Sequence, residues 1–321
     1  MDFLIFMKGR YLGISGLALI LALLCTAATA EDEAAEGQEG VLRISTTTSL
    51  YDTGLLDEME DIFVGMYDVD VRTVSGGTGI AIARAEKGDA DLILVHDVVR
   101  ERKFIDDGYG LSRTCFAYNY FIIVGPEDDP AGIAGMTPSE AMKKIMEVGM
   151  EKPDQVRFVS RGDDSGTHAR EKILWDRAGL DYEEVASSGP WYVEAGQGMG
   201  PTLWMTDEMR GYTLCDTSTF AAYRSDLELV PLIEEGDVLL NVYAAIPVSP
   251  AVFSETNCEM AKNFVNYLVS DEGQDLIAEY GTETIGKPLF NPARGNCELI
   301  GCFGDECALP LAEDYCSLIE A

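Results

Sequence analysis

One arrangement recurs along the chain and limits what it can fold into. An apolar run leads into a loop of Gly, Ser and Thr, and the loop opens directly into a segment of helical periodicity. The loops fall at residues 45–49, 75–79, 160–167 and 215–219. The preceding runs at 41–45, 69–74, 156–160 and 211–215 read as strands, as do 92–95, 120–125 and 239–248. Residues 92–95 are wholly apolar, the mark of a parallel strand covered on both faces. Leu55, Leu56, Met59, Ile62 and Phe63 recur at helical spacing over 55–67. Further helices are predicted at 80–87, up to 107, and at 169–178, 219–223, 259–268 and 272–280. Residues 137–148 predict a helix capped by Thr137, with Pro138 at its first position. This alternation predicts an α/β protein built from doubly wound sheets flanked by helices. In such sheets the loops at the carboxyl ends of the strands line the ligand crevice. Four hydroxyl-rich helix entrances meeting there would form a cage of N–H and O–H donors suited to an anion.

Charge sharpens that expectation. The 321 residues carry a net charge of −33, which excludes nucleic acid and anionic membrane surfaces as partners. An anion site in such a chain has to be local, dry and built from backbone N–H groups, since the overall field repels anions. Adaptation to high salt is the plainest account of the charge itself.

Residues 1–30 read as a secretory signal peptide, with Lys8 and Arg10, an apolar run over 12–24, and Ala28-Thr29-Ala30 as the cleavage site. The run is short for a membrane span, and Leu24 before Cys25 is a poor fit to a lipoprotein site. Residues 31–40 form an acidic linker. The remainder is long enough for two lobes. In an exported chain Cys297, Cys302, Cys307 and Cys316 read as disulfide partners; a zinc site is the rival, but no C-x-x-C pair is present. Cys115, Cys215 and Cys258 are scattered, so at least one thiol of the mature chain stays unpaired.

The densest chemistry lies in Arg161-Gly162-Asp163-Asp164-Ser165-Gly166-Thr167-His168. Gly166 permits close backbone approach, Ser165 and Thr167 bring hydroxyls, and Arg161 brings a planar fork suited to an oxyanion. With I-S-T-T-T-S-L-Y-D-T-G-L-L-D, G-G-T-G-I-A-I-A-R-A-E-K-G-D-A-D-L-I-L-V-H and W-Y-V-E-A-G-Q-G-M-G, this block resembles the tungstate-specific substrate-binding proteins of bacterial and archaeal ABC transporters. The resemblance runs over roughly residues 41–292. It implies a two-lobed, type II periplasmic-binding-protein fold that closes over tungstate or molybdate and delivers it to a membrane permease and its ATPase. No cofactor and no resident metal are implied. Lobe one would combine 41–119 with 245–292 and lobe two would be 120–244, joined by crossover strands near 118–123 and 241–246. Residues 293–321, a Cys-rich extension, lie outside the resemblance.

Carried over by the same resemblance, the oxyanion ligands would be hydroxyls or N–H groups of Thr47, Thr48, Ser49 and Thr78 from one lobe. From the other they would be Arg161, Ser165, Gly166, Thr167 and the Gly198–Met199 region. One departure is Asp216-Thr217-Ser218-Thr219, where the family pattern carries a D-R-G-T-like turn. Phosphate is the alternative ligand, because a carboxylate such as Asp163 facing the cage would accept the proton of hydrogen phosphate. An enzyme reading would pair Ser49 or Ser165 with His96 or His168. No G-x-S-x-G elbow is present, His168 sits where it would cap or pack, and His96 has no serine in evident register. The third reading is a stand-alone surface or signalling protein.

Overall fold

The structure, a computed structural model, describes residues 40–317. The signal-peptide reading of 1–30 and nearly all of the linker reading lie outside the described residues.

Ten strands organise the molecule: β1 (Val41–Thr47), β2 (Asp70–Gly76), β3 (Leu92–Val95), β4 (Thr114–Pro126), β5 (Phe158–Ser160), β6 (Tyr192–Glu194), β7 (Thr213–Asp216), β8 (Leu229–Ile233), β9 (Leu240–Pro247) and β10 (Asn291–Pro292). β1 lies between β2 and β3 and is parallel to both. β3, buried at all four residues as its composition predicts, pairs antiparallel with β9 on its other edge.

β4 is the element everything else is hung on. Its 13 residues are almost continuously apolar and buried. Thr114 to Tyr120 pair with β9, while Phe121 to Pro126 pair with β7 and β8. The core divides along the same strand. Cys115, Phe116, Ala117 and Tyr118 pack with Leu42, Ile44, Leu94, Tyr243 and Phe264. Phe121 and Ile123 pack instead with Ile145, Phe158, Trp175, Trp191 and Tyr212. β5 and β6 form a parallel pair that joins β7 through a bridge between Phe158 and Tyr212.

Local chemistry explains most element boundaries. The helix Pro138–Glu151 begins at the expected Thr137, which forms a full capping box with Glu140. The helix Met199–Met209, absent from the sequence prediction, opens on Gly198-Met199-Gly200-Pro201, a run that reads as loop. Pro201 is tolerated because first-turn N–H groups have no intrahelical acceptor to lose. Among the described residues, no helix is long and apolar enough to cross a membrane.

Three disulfides shape the C-terminal segment: Cys115–Cys302, Cys258–Cys316 and Cys297–Cys307. Only the last is internal to the tail; the other two tie it to β4 and to the helix Cys258–Val269. Ile300, Cys302 and Ala308 join the core cluster around β1 and β4. Among the described residues, Cys215 is the free thiol, and it is buried. Replacing Cys258 and Cys316 together by serine should lower unfolding stability by about 2–4 kcal/mol, because a cross-link spanning this much chain restricts the unfolded ensemble. A reduced urea midpoint with an unchanged m-value would show it.

Candidate functional site

The loops singled out in the sequence come together. β1 ends in Thr47, the N-cap of a four-residue helix Thr48–Tyr51 that has no side-chain cap. Gly77 caps the helix Thr78–Ala85, again with no side-chain cap. The helix Gly166–Arg177 starts behind Ser165, whose Oγ accepts from His168 N at 3.2 Å. Gly198 is the N-cap of Met199–Met209. A Cβ placed on Gly166 would lie 2.8 Å from His96 Cε1 and 3.0 Å from Thr78 Oγ1, and one on Gly77 would lie 3.3 Å from the Asp163 carbonyl oxygen. One on Gly198 would lie 4.0 Å from Thr48 Oγ1. Glycine suits 77 because the backbone of 163–165 approaches it closely, and 166 because the His96 and Thr78 side chains occupy the space of a Cβ.

Arg161 sits at the middle, 2% exposed. Its Nη2 donates to Asp163 in an ion pair and approaches Thr48 Oγ1 at 3.5 Å. Asp163 Oδ1 also accepts from Ser165 N at 3.2 Å, so this carboxylate braces the loop. Asp164 is held outward by Arg100, which donates to its carboxylate and, at 2.9 Å, to its carbonyl. The loop achieves these turns with left-handed backbone at Gly162 (φ 58°) and Asp164 (φ 59°).

Several buried donors among the described residues are left over, three of them on these touching loops at 78, 161 and 167. Thr78 Oγ1, Thr167 Oγ1 and Arg161 Nε have no hydrogen-bond partner among the described residues. Buried polar groups are nearly always paired, so three orphans within one set of touching loops mark a site shaped for something that accepts hydrogen bonds. Thr46, by contrast, donates to the Leu94 carbonyl and ties β1 to β3.

One expectation is overturned. His96 does have a serine in register: Ser49 Oγ lies 3.1 Å from His96 Nε2, because the helix after β1 turns Ser49 back toward the end of β3. His96 Nδ1 lies 2.8 Å from Asn241 Oδ1. Burial lowers the His96 pKa to about 4; Asp216, Asn241 and Asp97 oppose the shift, and Arg161 reinforces it. An imidazole so hard to protonate, backed by a neutral amide, is a poor general base. His168 packs as expected, accepting from Asp164 N at Nδ1 and meeting Tyr182 Oη at 2.8 Å through Nε2.

The Asp216-Thr217-Ser218-Thr219 turn supplies no arginine. Asp216, fully buried, caps the helix Thr217–Tyr223 and accepts from Ser218 Oγ, Thr219 N and Thr219 Oγ1 at 2.5, 2.8 and 2.7 Å. Sequence reasoning missed Arg100, Asn119 and Asn241 as parts of this region, and weighed His96 only as a catalytic base. The available signal was a single amide interrupting each of two apolar strands, at Tyr118-Asn119-Tyr120 and Leu240-Asn241-Val242.

Comparison with known proteins gives the family. Residues 28–272 match the model of the PBP superfamily domain. The tungstate-binding protein TupA of Peptoclostridium acidaminophilum is 39% identical over 292 residues, covering 88% of this chain and 98% of that one. The chain belongs to the TupA family of the PBP superfamily. Solved structures agree with the TupA assignment. The tungstate-binding protein TupA from Desulfovibrio alaskensis G20 aligns with a TM-score of 0.65 at 39% identity, over 79% of this chain and 98% of that one. The tungstate ABC transporter structure from Geobacter sulfurreducens aligns at 0.67 and 41% identity, over 76% and 100%.

Within this TupA-family site, Gly166→Ala should force His96 and Thr78 apart, since neither neighbour is a loose side-chain end. Overpacking of this kind costs about 1–3 kcal/mol, to be read as a lowered thermal midpoint.

Proposed function

We propose that this chain is an exported solute-binding protein that captures tungstate, with molybdate as its near-isosteric competitor, and hands it to a membrane permease driven by an ATPase. The observation carrying this reading is the convergence of Thr78 Oγ1, Thr167 Oγ1 and Arg161 Nε as unpaired buried donors while Asp163 is turned onto Arg161. Tungstate has no proton at neutral pH and calls for donors alone. Hydrogen phosphate calls for an acceptor as well, and Asp163 and Asp164 are engaged by Arg161 and Arg100 rather than facing inward.

In this reading the anion is held by Thr47, Thr48, Ser49 and Thr78 on one side. Arg161, Ser165, Gly166, Thr167 and the N–H groups at Gly198 and Met199 hold it on the other. The helix starts add their positive ends to the same point. Residues 41–119 with 245–292 form one lobe and 120–244 the other, and bending of the crossover strands near 118–123 and 241–246 opens and shuts the site. Delivery rather than turnover is the role, supported by the TupA kinship and by the weak basicity of His96.

Titration calorimetry with tungstate, molybdate, sulfate and phosphate in a phosphate-free buffer tests the reading. Tungstate is expected to bind tightly and phosphate weakly; phosphate binding best would mean that Asp163 turns inward, and no anion binding would remove the function. Arg161→Ala should weaken tungstate by about 1.5–3 kcal/mol, the worth of a charge-assisted hydrogen bond. Unchanged affinity would take Arg161 out of the site.

A further inference from the structure

A continuous chain of buried hydrogen bonds runs from Asp216 to Ser49, and its direction is forced from one end. A carboxylate only accepts, so Ser218 donates to Asp216 at 2.5 Å. Ser218 Oγ, its proton spent, accepts from Asn119 Nδ2 at 2.9 Å. Turning the Asn119 amide over would set its oxygen against Asp216 Oδ1, which now lies 3.5 Å from Nδ2. Asn119 Oδ1 therefore faces Asn241 and accepts from Asn241 Nδ2 at 2.8 Å. The second amide proton of Asn241 goes to Tyr243 Oη at 3.1 Å. Asn241 Oδ1 is thus left to accept from His96 Nδ1 at 2.8 Å. With its one proton on Nδ1, neutral His96 accepts at Nε2, and the Ser49 hydroxyl must donate to it at 3.1 Å. Thr47 Oγ1, 3.3 Å from Ser49 Oγ, and the Tyr243 hydroxyl are the further hydrogen-bond partners of Ser49.

The consequence falls on the anion site. In this state Ser49 offers lone pairs, not a proton, beside the loops that otherwise offer donors. One proton on His96 Nε2 reverses that single link: the imidazolium donates to Ser49 Oγ, and the serine proton is released to turn toward the site. Nothing else in the chain has to change, since Nδ1 already donates to Asn241.

We propose that His96 is a positioning residue of the anion site, taking up a proton from solvent when a fully deprotonated oxyanion binds and so turning Ser49 into a donor. The inference rests on the anion-binding reading above. The groups facing His96 are Asp216 from β7, Asp97 at the start of the next helix, Arg161 from the β5 loop, and the Tyr243 ring, whose centroid is 4.8 Å away. The two carboxylates favour the imidazolium; Arg161 and burial oppose it, and an incoming dianion adds the charge that tips the balance. Burial holds the anion-free imidazole neutral down to about pH 4. Binding raises that pKa, so protons are taken up and affinity strengthens as pH falls through the bound value.

The test is calorimetry of the native protein with tungstate, in pairs of buffers of different ionisation heat, between about pH 6.5 and 8.5. Net proton uptake growing toward low pH is expected, with affinity strengthening by up to about tenfold per pH unit. The chain has two histidines, so ring nitrogen shifts in NMR show which one is protonated, with His96 expected to change and His168 not. His96→Gln should bind tungstate without proton uptake and with a flat pH profile. Tungstate binding with buffer-independent heat, uptake located at His168, or uptake retained in His96→Gln would overturn the proposal while leaving anion binding intact. Absence of tungstate binding would overturn both. If His96→Gln fails to fold, the native proton count and the NMR assignment decide.

Discussion

Asn119 and Asn241 stand directly opposite each other on β4 and β9, and their amide-to-amide hydrogen bond at 2.8 Å holds the centre of the molecule in one register. Both are buried, and a buried amide left unpaired costs about 1–3 kcal/mol. A slip of one residue in either strand would turn its amide to the opposite face of the sheet and leave the other without its partner. The pair also passes the influence of Asp216 on β7 to His96 on β3, so the loops after β1, β3, β5 and β7 are referenced to the same two strands.

The strongly acidic surface makes the internal arrangement of charge matter more. Three carboxylates near the site are engaged, Asp163 by Arg161, Asp164 by Arg100, and Asp216 by three donors of its own turn, while Asp52, which also feels Arg161 and Asp216, is shifted upward by burial. Another buried carboxylate, Glu171, accepts from Ser160 at 2.6 Å, Tyr192 at 2.7 Å and Trp175 at 3.0 Å. Even so, burial lifts it to about 7. It anchors the strand end just before Arg161, so the guanidinium leaves β5 from a fixed point. Electrostatic selection of an anion then depends on aimed dipoles and one guanidinium rather than on net charge.

The C-terminal segment stabilises the half of the protein that contains β1 and the start of β4. Arg113 links the two structures: it pairs with buried Glu101 at 2.6 Å and with Glu306 of the tail at 3.3 Å, next to the Cys115–Cys302 disulfide. A buried ion pair adds little net stability, but removing one member would strand the other, so this junction ties tail and body into one unit.

Much was legible in the sequence because the signals were local. Hydrophobic periodicity, the Thr137 capping box and the glycines of the close loops determined the α/β alternation, most helices and the identity of the site loops. The Arg161–Thr167 block stood out because its residue types match the chemistry of an anion, and the structure sets it against Thr48 and Gly77. The helix Met199–Met209 was not, since its glycines and proline look like a loop until packing covers it. Nor was the Ser49–His96–Asn241–Asn119–Asp216 chain. Its members lie on five segments far apart in sequence, and only strand pairing sets which amide faces which ring. The sequence by itself determined which groups could donate; tertiary structure decided which donors are spent internally and which remain free, because that accounting depends on distances between segments that no local pattern encodes.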